Sequence, residues 1–203
     1  KNSIIDRRHC RNRLKNMLSK YPNRKCKVYL LHGDLLDEEM HYLYKHDKIK
    51  ALVSLTHGEG FGLPLFEAAY SGLPVVAPNW SGHKDFLNMP VKDKKSKKEK
   101  IKSMFAKVDY KLGPVQPDAK WDGVVREDSM WCYAEQGSYK MKLREVYKDH
   151  SRFKSHAKKL KTYLEKELEE NKQLDLFANT IYEKTELNDL EDWFDQLDAE
   201  VHA

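Results

Sequence analysis

Residues 57–77 read HGEGFGLPLFEAAYSGLPVVA, and this segment constrains the fold more than any other. An apolar run (KALVSL, 50–55) feeds a turn holding Gly58, Gly60 and Gly62, and a second apolar run (PVVA, 74–77) follows about a dozen residues later. The stretch between, about Pro64 to Ser71, has helical composition, with proline at its first turn and Gly72 just past its end. That is the usual asymmetry of helix termini. Strand, glycine turn, helix and strand at this spacing form one unit of a parallel α/β sheet.

The flanking sequence extends the pattern. Residues 6–19 are read as a polar helix capped by Asp6, with Leu14, Met17 and Leu18 as its apolar stripe. KVYLL (27–31) suits a short buried strand, and 37–46 a helix turning Met40, Leu43 and Tyr44 inward. The fold class expected is a Rossmann-like parallel sheet flanked by helices, with further helices over 137–182. Their stripes are Tyr139, Leu143, Val146 and Tyr147; then Phe153, Ala157, Leu160 and Leu164; then Leu174, Phe177 and Ile181. Residues 109–127 are an irregular excursion with a short VV strand returning to the sheet. After 182 the composition shifts: 183–203 hold eight acids and one lysine. The expected division is one domain over 1–182 and an acidic amphipathic tail over 183–203.

A glycine turn opening a helix at the C-terminal edge of a parallel sheet presents free backbone N–H groups and the positive end of a helix dipole, which suits phosphate. Two carboxylates flank it, Glu59 on the turn and Glu67 about one turn inside the helix. Carboxylates repel a diphosphate, so these two meet hydroxyls, which sugars and riboses offer in vicinal pairs. Competing motifs fail. No G-x-x-x-x-G-K-[ST] is present, Leu63 stands where the third glycine of G-x-G-x-x-G belongs, and the chain has no D-x-D. The expectation is a metal-free site without an organic cofactor.

Composition narrows the class. A formal charge of +5 on 203 residues does not point to nucleic acid. Cys10, Cys26 and Cys132 are odd in number and widely spaced, which reads as inert buried thiols in a reducing, cytoplasmic setting. No apolar run approaches the roughly 20 residues needed to span a bilayer. The segment 92–102 carries seven lysines against two acids. It is read as a solvated insertion loop, with a weak contact to an anionic surface, peripheral to a membrane, as the alternative.

At EGFGLPLFEAAYSGLPVV the chain resembles glycosyltransferase family 4 and its GT-B relatives, whose motif is a glutamate, seven residues and a second glutamate within E-G-F-G-L-P-x-x-E-A, then G-x-P-V. HGDLLDEEMHYLY before it and NWSGHKDFL after it are similar to the family's flanking segments, with Asp85 where glutamate is commoner. The resemblance covers about residues 27–87. It implies the donor-binding, C-terminal half of a GT-B enzyme that transfers sugar from a nucleotide-diphosphate donor, without a metal and with retained anomeric configuration. It implies that Glu59 contacts the donor sugar and acts in catalysis. Gly60, Phe61, Gly62 and Leu63 would offer amides to sugar and diphosphate, Glu67 would hold the ribose, and Gly33, Asp34 and Leu35 would border the nucleobase. A basic pair on the diphosphate is also implied, for which only Lys1 stands at hand, and an acceptor domain ahead of this one that the 203 residues do not include. The acceptor is a glycan, lipid or protein. The chain begins with lysine, which reads as a fragment or a processed chain.

His57 and Gly58 complete the donor-binding set. His57 is read as lining the pocket or supporting the turn in preference to moving a proton. Phe61 is expected to pack under the turn. Trp121 and Trp131 are read as packing aromatics in preference to stacking platforms, and Leu65, Phe66 and Ala69 as core. The alternative to an enzyme is a non-catalytic nucleotide-sugar-binding or interaction module.

Overall fold

The computed structural model describes residues 3–93, 98–126 and 128–181. The chain divides into two compact units, Lys1–Leu43 and Tyr44–Ala203.

The first unit opens with helix α1 (Ile4–Ser19). Its cap is Ser3, three residues before the expected Asp6: the Ser3 hydroxyl accepts from the Asp6 backbone N–H at 2.9 Å and donates to the Asp6 carboxylate at 2.6 Å. Asp6 thus takes the reciprocal position of a capping box. The strand expected at 27–31 does not form. Val28, Tyr29, Leu30 and Leu31 are all exposed, because a strand needs a ladder partner and this unit contains no other strand among the described residues. Helix α2 (Asp37–Lys45) follows, carrying three acids in its first turn and Lys45 in its last, a charge order that complements its dipole.

In the second unit, β1 (Leu52–Val53) leads through the glycine turn into α3 (Leu63–Tyr70), then β2 (Val75–Pro78), α4 (Lys84–Leu87), β3 (Asn88–Lys92), β4 (Glu99–Ser103), β5 (Ala106–Val108), β6 (Tyr110–Pro114) and β7 (Met130–Ala134). Three helices close it: α5 (Gln136–Lys148), α6 (His150–Glu167) and α7 (Glu170–Ile181). The main sheet has the order β1-β2-β5, parallel throughout, with Leu52 opposite Val75 and Val76 opposite Ala106. Every residue of β2 is buried, as befits the middle strand of a parallel sheet covered on both faces. Val76, Ala106, Val108, Val146 and Phe153 form a continuous core, to which Ala51, Leu55, Ala134 and Tyr139 add partly buried surface. α3 packs on α6, and Leu65, Ala68 and Ala69 of α3 and Ala157, Leu160 and Leu164 of α6 are buried.

α3 ends in a Schellman motif: the Leu73 N–H donates to Ala68 and the Gly72 N–H to Ala69, both at 2.9 Å, with Gly72 at φ +72°. The Lys154 ammonium caps the same end, donating to the Gly72 carbonyl at 2.9 Å, and burial pushes its pKa down.

The lysine-rich segment is not simply a loop. Its two ends are the arms of an antiparallel hairpin, β3 and β4, with Lys92 opposite Glu99; residues 94–97 lie outside the described residues. The excursion after β5 also differs from expectation. β6 pairs antiparallel with β7 in a separate ribbon, and residues 124–125 make only an isolated bridge, Trp121 to Val125. The helical stretch breaks at Asp149, which ends α5 and starts α6, and again at Leu168. The stripe of α7 is exposed, with Leu174, Phe177 and Ile181 all more than half accessible. The acidic tail at 183–203 and Lys1 lie outside the described residues. Of the cysteines only Cys132 is buried; Cys26 is exposed and Cys10 intermediate, since the first unit buries almost nothing. No helix among the described residues is long and apolar enough to cross a membrane.

Candidate functional site

The turn between β1 and α3 stands at the C-terminal edge of the parallel sheet. Gly62 is the N-cap of α3 at φ 90°, ψ 54°, a conformation costly for residues with a Cβ. A Cβ there would also crowd Leu65 Cδ1 at 3.1 Å and His83 Cβ at 3.4 Å. The Gly62 carbonyl accepts from the N–H groups of Leu65 (2.9 Å) and Phe66 (3.0 Å). Among the described residues, no protein acceptor takes the N–H groups of Gly60, Phe61, Gly62 or Leu63. Gly60, Phe61 and Leu63 are exposed and Gly62 is buried; unclaimed donors at a helix N-terminus are an anion-binding arrangement.

A second loop straps the turn in place. Ser81 has φ 77°, and it is the only non-glycine residue with positive φ among the described residues. Its hydroxyl accepts from the Glu59 N–H at 2.9 Å and donates to the Glu59 carbonyl at 2.5 Å. The Gly82 N–H donates to the same carbonyl at 3.2 Å. A Cβ on Gly82 would run into the Gly60 carbonyl, so only glycine lets the two backbones meet. The next residue, His83, is 1% exposed, and its Nε2 lies 2.7 Å from the Pro78 carbonyl. A carbonyl only accepts, so Nε2 carries the proton. Nδ1 is then a buried acceptor with no partner among the described residues. Asp85 is exposed on α4.

Glu59 is therefore held by both its backbone groups, while its side chain stays half-buried. Glu67 is exposed on α3 and accepts from the Tyr44 hydroxyl at 3.1 Å. Tyr44 is 7% exposed; burial, then the hydrogen bond and charge of Glu67, push its phenol up to about 12. It remains a neutral donor at any physiological pH. Phe61 is about half exposed and packs on Phe66 (5.4 Å between ring centroids) and Phe86 (5.0 Å), so the expected packing is only partial. Leu63 is 62% exposed, whereas Leu65 and Ala69 are core.

His57 precedes the turn. Its carbonyl accepts from the Cys132 N–H at 3.1 Å, and its Nδ1 lies 2.7 Å from the Cys132 carbonyl. Its ring is stacked on Trp131, 4.6 Å between centroids at 13°. Trp131 thus packs, as expected, but against a site residue, while Trp121 is 67% exposed.

The structure brings His57, Gly58, Glu59, Gly60, Phe61, Gly62, Leu63 and Glu67 together in the second unit. Gly33, Asp34 and Leu35 belong to the first unit, where Gly33 (φ 144°) and Asp34 are exposed and no strand precedes them. Sequence reasoning missed Tyr44 as the partner of Glu67, the strap of Ser81 and Gly82, and the ribbon residues Trp131 to Tyr133. The S-G pair after β2 was a visible signal for the strap. The ribbon had none, since its pairing with the turn spans 75 residues. No group of three His, Cys, Asp or Glu side chains is placed to hold a metal among the described residues.

Residues 1–108 match the family model described as glycosyl transferases, group 1. No curated protein and no solved structure matches the chain. The match covers more than half of the 203 residues and includes the whole turn, its strap and the parallel sheet: the chain belongs to the group 1 glycosyl transferases.

Proposed function

We propose that this chain binds the nucleotide-diphosphate sugar donor of a glycosyl transfer reaction, as the C-terminal half of a GT-B enzyme. The observation that carries the reading is the turn itself. The backbone N–H groups of Gly60 to Leu63, without protein acceptors among the described residues, stand at the start of α3, between one carboxylate fixed through its backbone and another oriented by a buried tyrosine.

The diphosphate takes the amides of Gly60 to Leu63 and the dipole of α3. Glu67, with one oxygen engaged by Tyr44, accepts the ribose hydroxyls on its free lone pairs. Glu59 accepts from a hydroxyl of the donor sugar and steadies the sugar as the bond to phosphate breaks. The amides and the helix dipole meet the diphosphate charge, so the transfer proceeds without a divalent metal. The anomeric configuration is retained, and a further domain supplies the acceptor.

Calorimetry with nucleoside diphosphates and their sugar derivatives tests the reading. Binding of at least one pair, unchanged by chelator, is expected, and a hundredfold excess over Kd adds about 2.7 kcal/mol of stability. Absence of binding to any uridine, guanosine, adenosine or thymidine diphosphate or its sugar derivative contradicts the reading.

A further inference from the structure

The ribbon β6–β7 does not belong to the parallel sheet, yet it makes a two-way contact with the residue that opens the glycine turn. The Cys132 N–H donates to the His57 carbonyl and the Cys132 carbonyl receives His57 Nδ1. On a strand, residues 131 and 133 share the face opposite 132, and both of their rings meet the imidazole: Trp131 in parallel at 4.6 Å, Tyr133 tilted at 4.8 Å. Tyr133 is itself fixed, since its hydroxyl donates to the Pro114 carbonyl at 2.7 Å. Opposite Trp131, Gly113 leaves the space that the Tyr133 ring fills; a Cβ there would meet that ring at 3.1 Å. The imidazole is therefore held by a backbone group and two oriented aromatic rings, more than a spacer residue needs.

This clamp fixes the chemistry of the ring. A carbonyl oxygen only accepts, so the proton sits on Nδ1. In the neutral imidazole Nε2 then carries a lone pair, at the end of the ring turned from its ribbon partner, and it has no protein partner among the described residues. A bare nitrogen cannot bind phosphate oxygens, because both are acceptors. It can accept from a hydroxyl. His57 is two residues before Glu59, so such a hydroxyl belongs to the sugar rather than to the nucleotide.

We propose that Trp131, with the Cys132 backbone and Tyr133, is a positioning element that holds His57 as the Nδ1–H tautomer, so that Nε2 accepts a hydrogen bond from a hydroxyl of the donor sugar. The sugar half of the inference rests on the donor-binding reading above; the tautomer half does not. His57 thereby distinguishes a sugar nucleotide from the bare nucleotide, and the ribbon makes that distinction depend on residues about 75 positions away in sequence.

The test uses the whole 203-residue chain. Long-range proton–nitrogen correlation spectra of the histidine side chains, with His57 assigned by its loss in His57→Phe, report the tautomer directly. The spectrum of the unmodified chain is expected to show His57 protonated at Nδ1, Trp131→Phe to keep that state, and Trp131→Ala to give a mixture. Calorimetry then compares UDP with UDP-glucose, GDP with GDP-mannose and ADP with ADP-glucose. For the pair that binds, His57→Phe and Trp131→Ala are expected to weaken the sugar nucleotide about tenfold while leaving the nucleoside diphosphate within about twofold, and Trp131→Phe to restore most of the loss. An Nε2–H tautomer in the unmodified chain overturns the positioning claim. Equal losses for nucleotide and sugar nucleotide overturn the sugar contact and reduce the clamp to a structural prop. If none of the three pairs binds, the sugar contact falls, and the spectrum alone decides the tautomer.

Discussion

The hydroxyl of Tyr44, buried to 7% exposure, donates to the Glu67 carboxylate at 3.1 Å. The bond lies within the second unit and fixes which way Glu67 points. Tyr44→Phe keeps the packing and removes the donor. It is expected to weaken nucleoside diphosphate binding by roughly threefold to tenfold, the loss of orientation at one carboxylate in contact with water. Titration calorimetry of the variant against the unmodified chain measures it.

The same pair sets a pH dependence. The Tyr44 phenol is raised from 10.0 to about 12, first by burial and then by Glu67. The folded state thus binds this proton more tightly than the unfolded state. Its stabilising contribution is complete below about pH 10 and is lost as pH rises through about 12. Denaturant unfolding followed between pH 9 and 12 is expected to show a steeper fall for the unmodified chain than for Tyr44→Phe, by at most about 2–3 kcal/mol across the range.

Gly82→Ala tests the strap. The new Cβ runs into the Gly60 carbonyl, so the loop of Ser81 must lift from Glu59 and release its N–H and carbonyl. The expected result is a loss of roughly 1–3 kcal/mol of stability together with loss of nucleotide binding. Gly58→Ala is the control, because its Cβ meets only Ser81 Oγ at an ordinary 3.7 Å. Thermal unfolding and calorimetry on both variants separate the strap from a general intolerance of side chains in the turn.

Gly72→Ala reports on the fold alone. Gly72 holds φ +72° at the end of α3, and its added Cβ would touch Lys161 Cδ at 3.4 Å. A loss of about 1–2 kcal/mol is expected from the left-handed backbone, with nucleotide affinity unchanged once the variant is folded. Chemical denaturation and calorimetry together measure this.

The chain is most legible where local rules decide. The turn, the proline at the start of α3, the glycine after it and the buried strand β2 are all consequences of short-range sequence, because backbone conformation and periodicity act over a few residues. KVYLL misled because an apolar run states a wish for burial without naming a partner, and the first unit offers no second strand among the described residues. The lysine-rich arms of β3 and β4 pair although their charge suggested a loop; Lys100 stands opposite Val91, and the charged ends stay in water. The turn residues were legible as a candidate anion-binding arrangement. Their supports were not, since Tyr44 reaches Glu67 across 23 residues and Cys132 reaches His57 across 75, and nothing in local composition marks which distant groups will meet.

In the proposed function the turn before α3 holds a nucleoside diphosphate with Glu67 on its ribose. The direct measurement is calorimetric titration of the binding nucleoside diphosphate into the unmodified chain, Glu67→Ala and Glu59→Ala. Glu67→Ala is expected to raise Kd about tenfold to a hundredfold, the loss of a charge-assisted hydrogen bond, while Glu59→Ala leaves this Kd nearly unchanged and lowers only the affinity for the sugar derivative. A Kd for the nucleoside diphosphate that Glu67→Ala leaves untouched contradicts it.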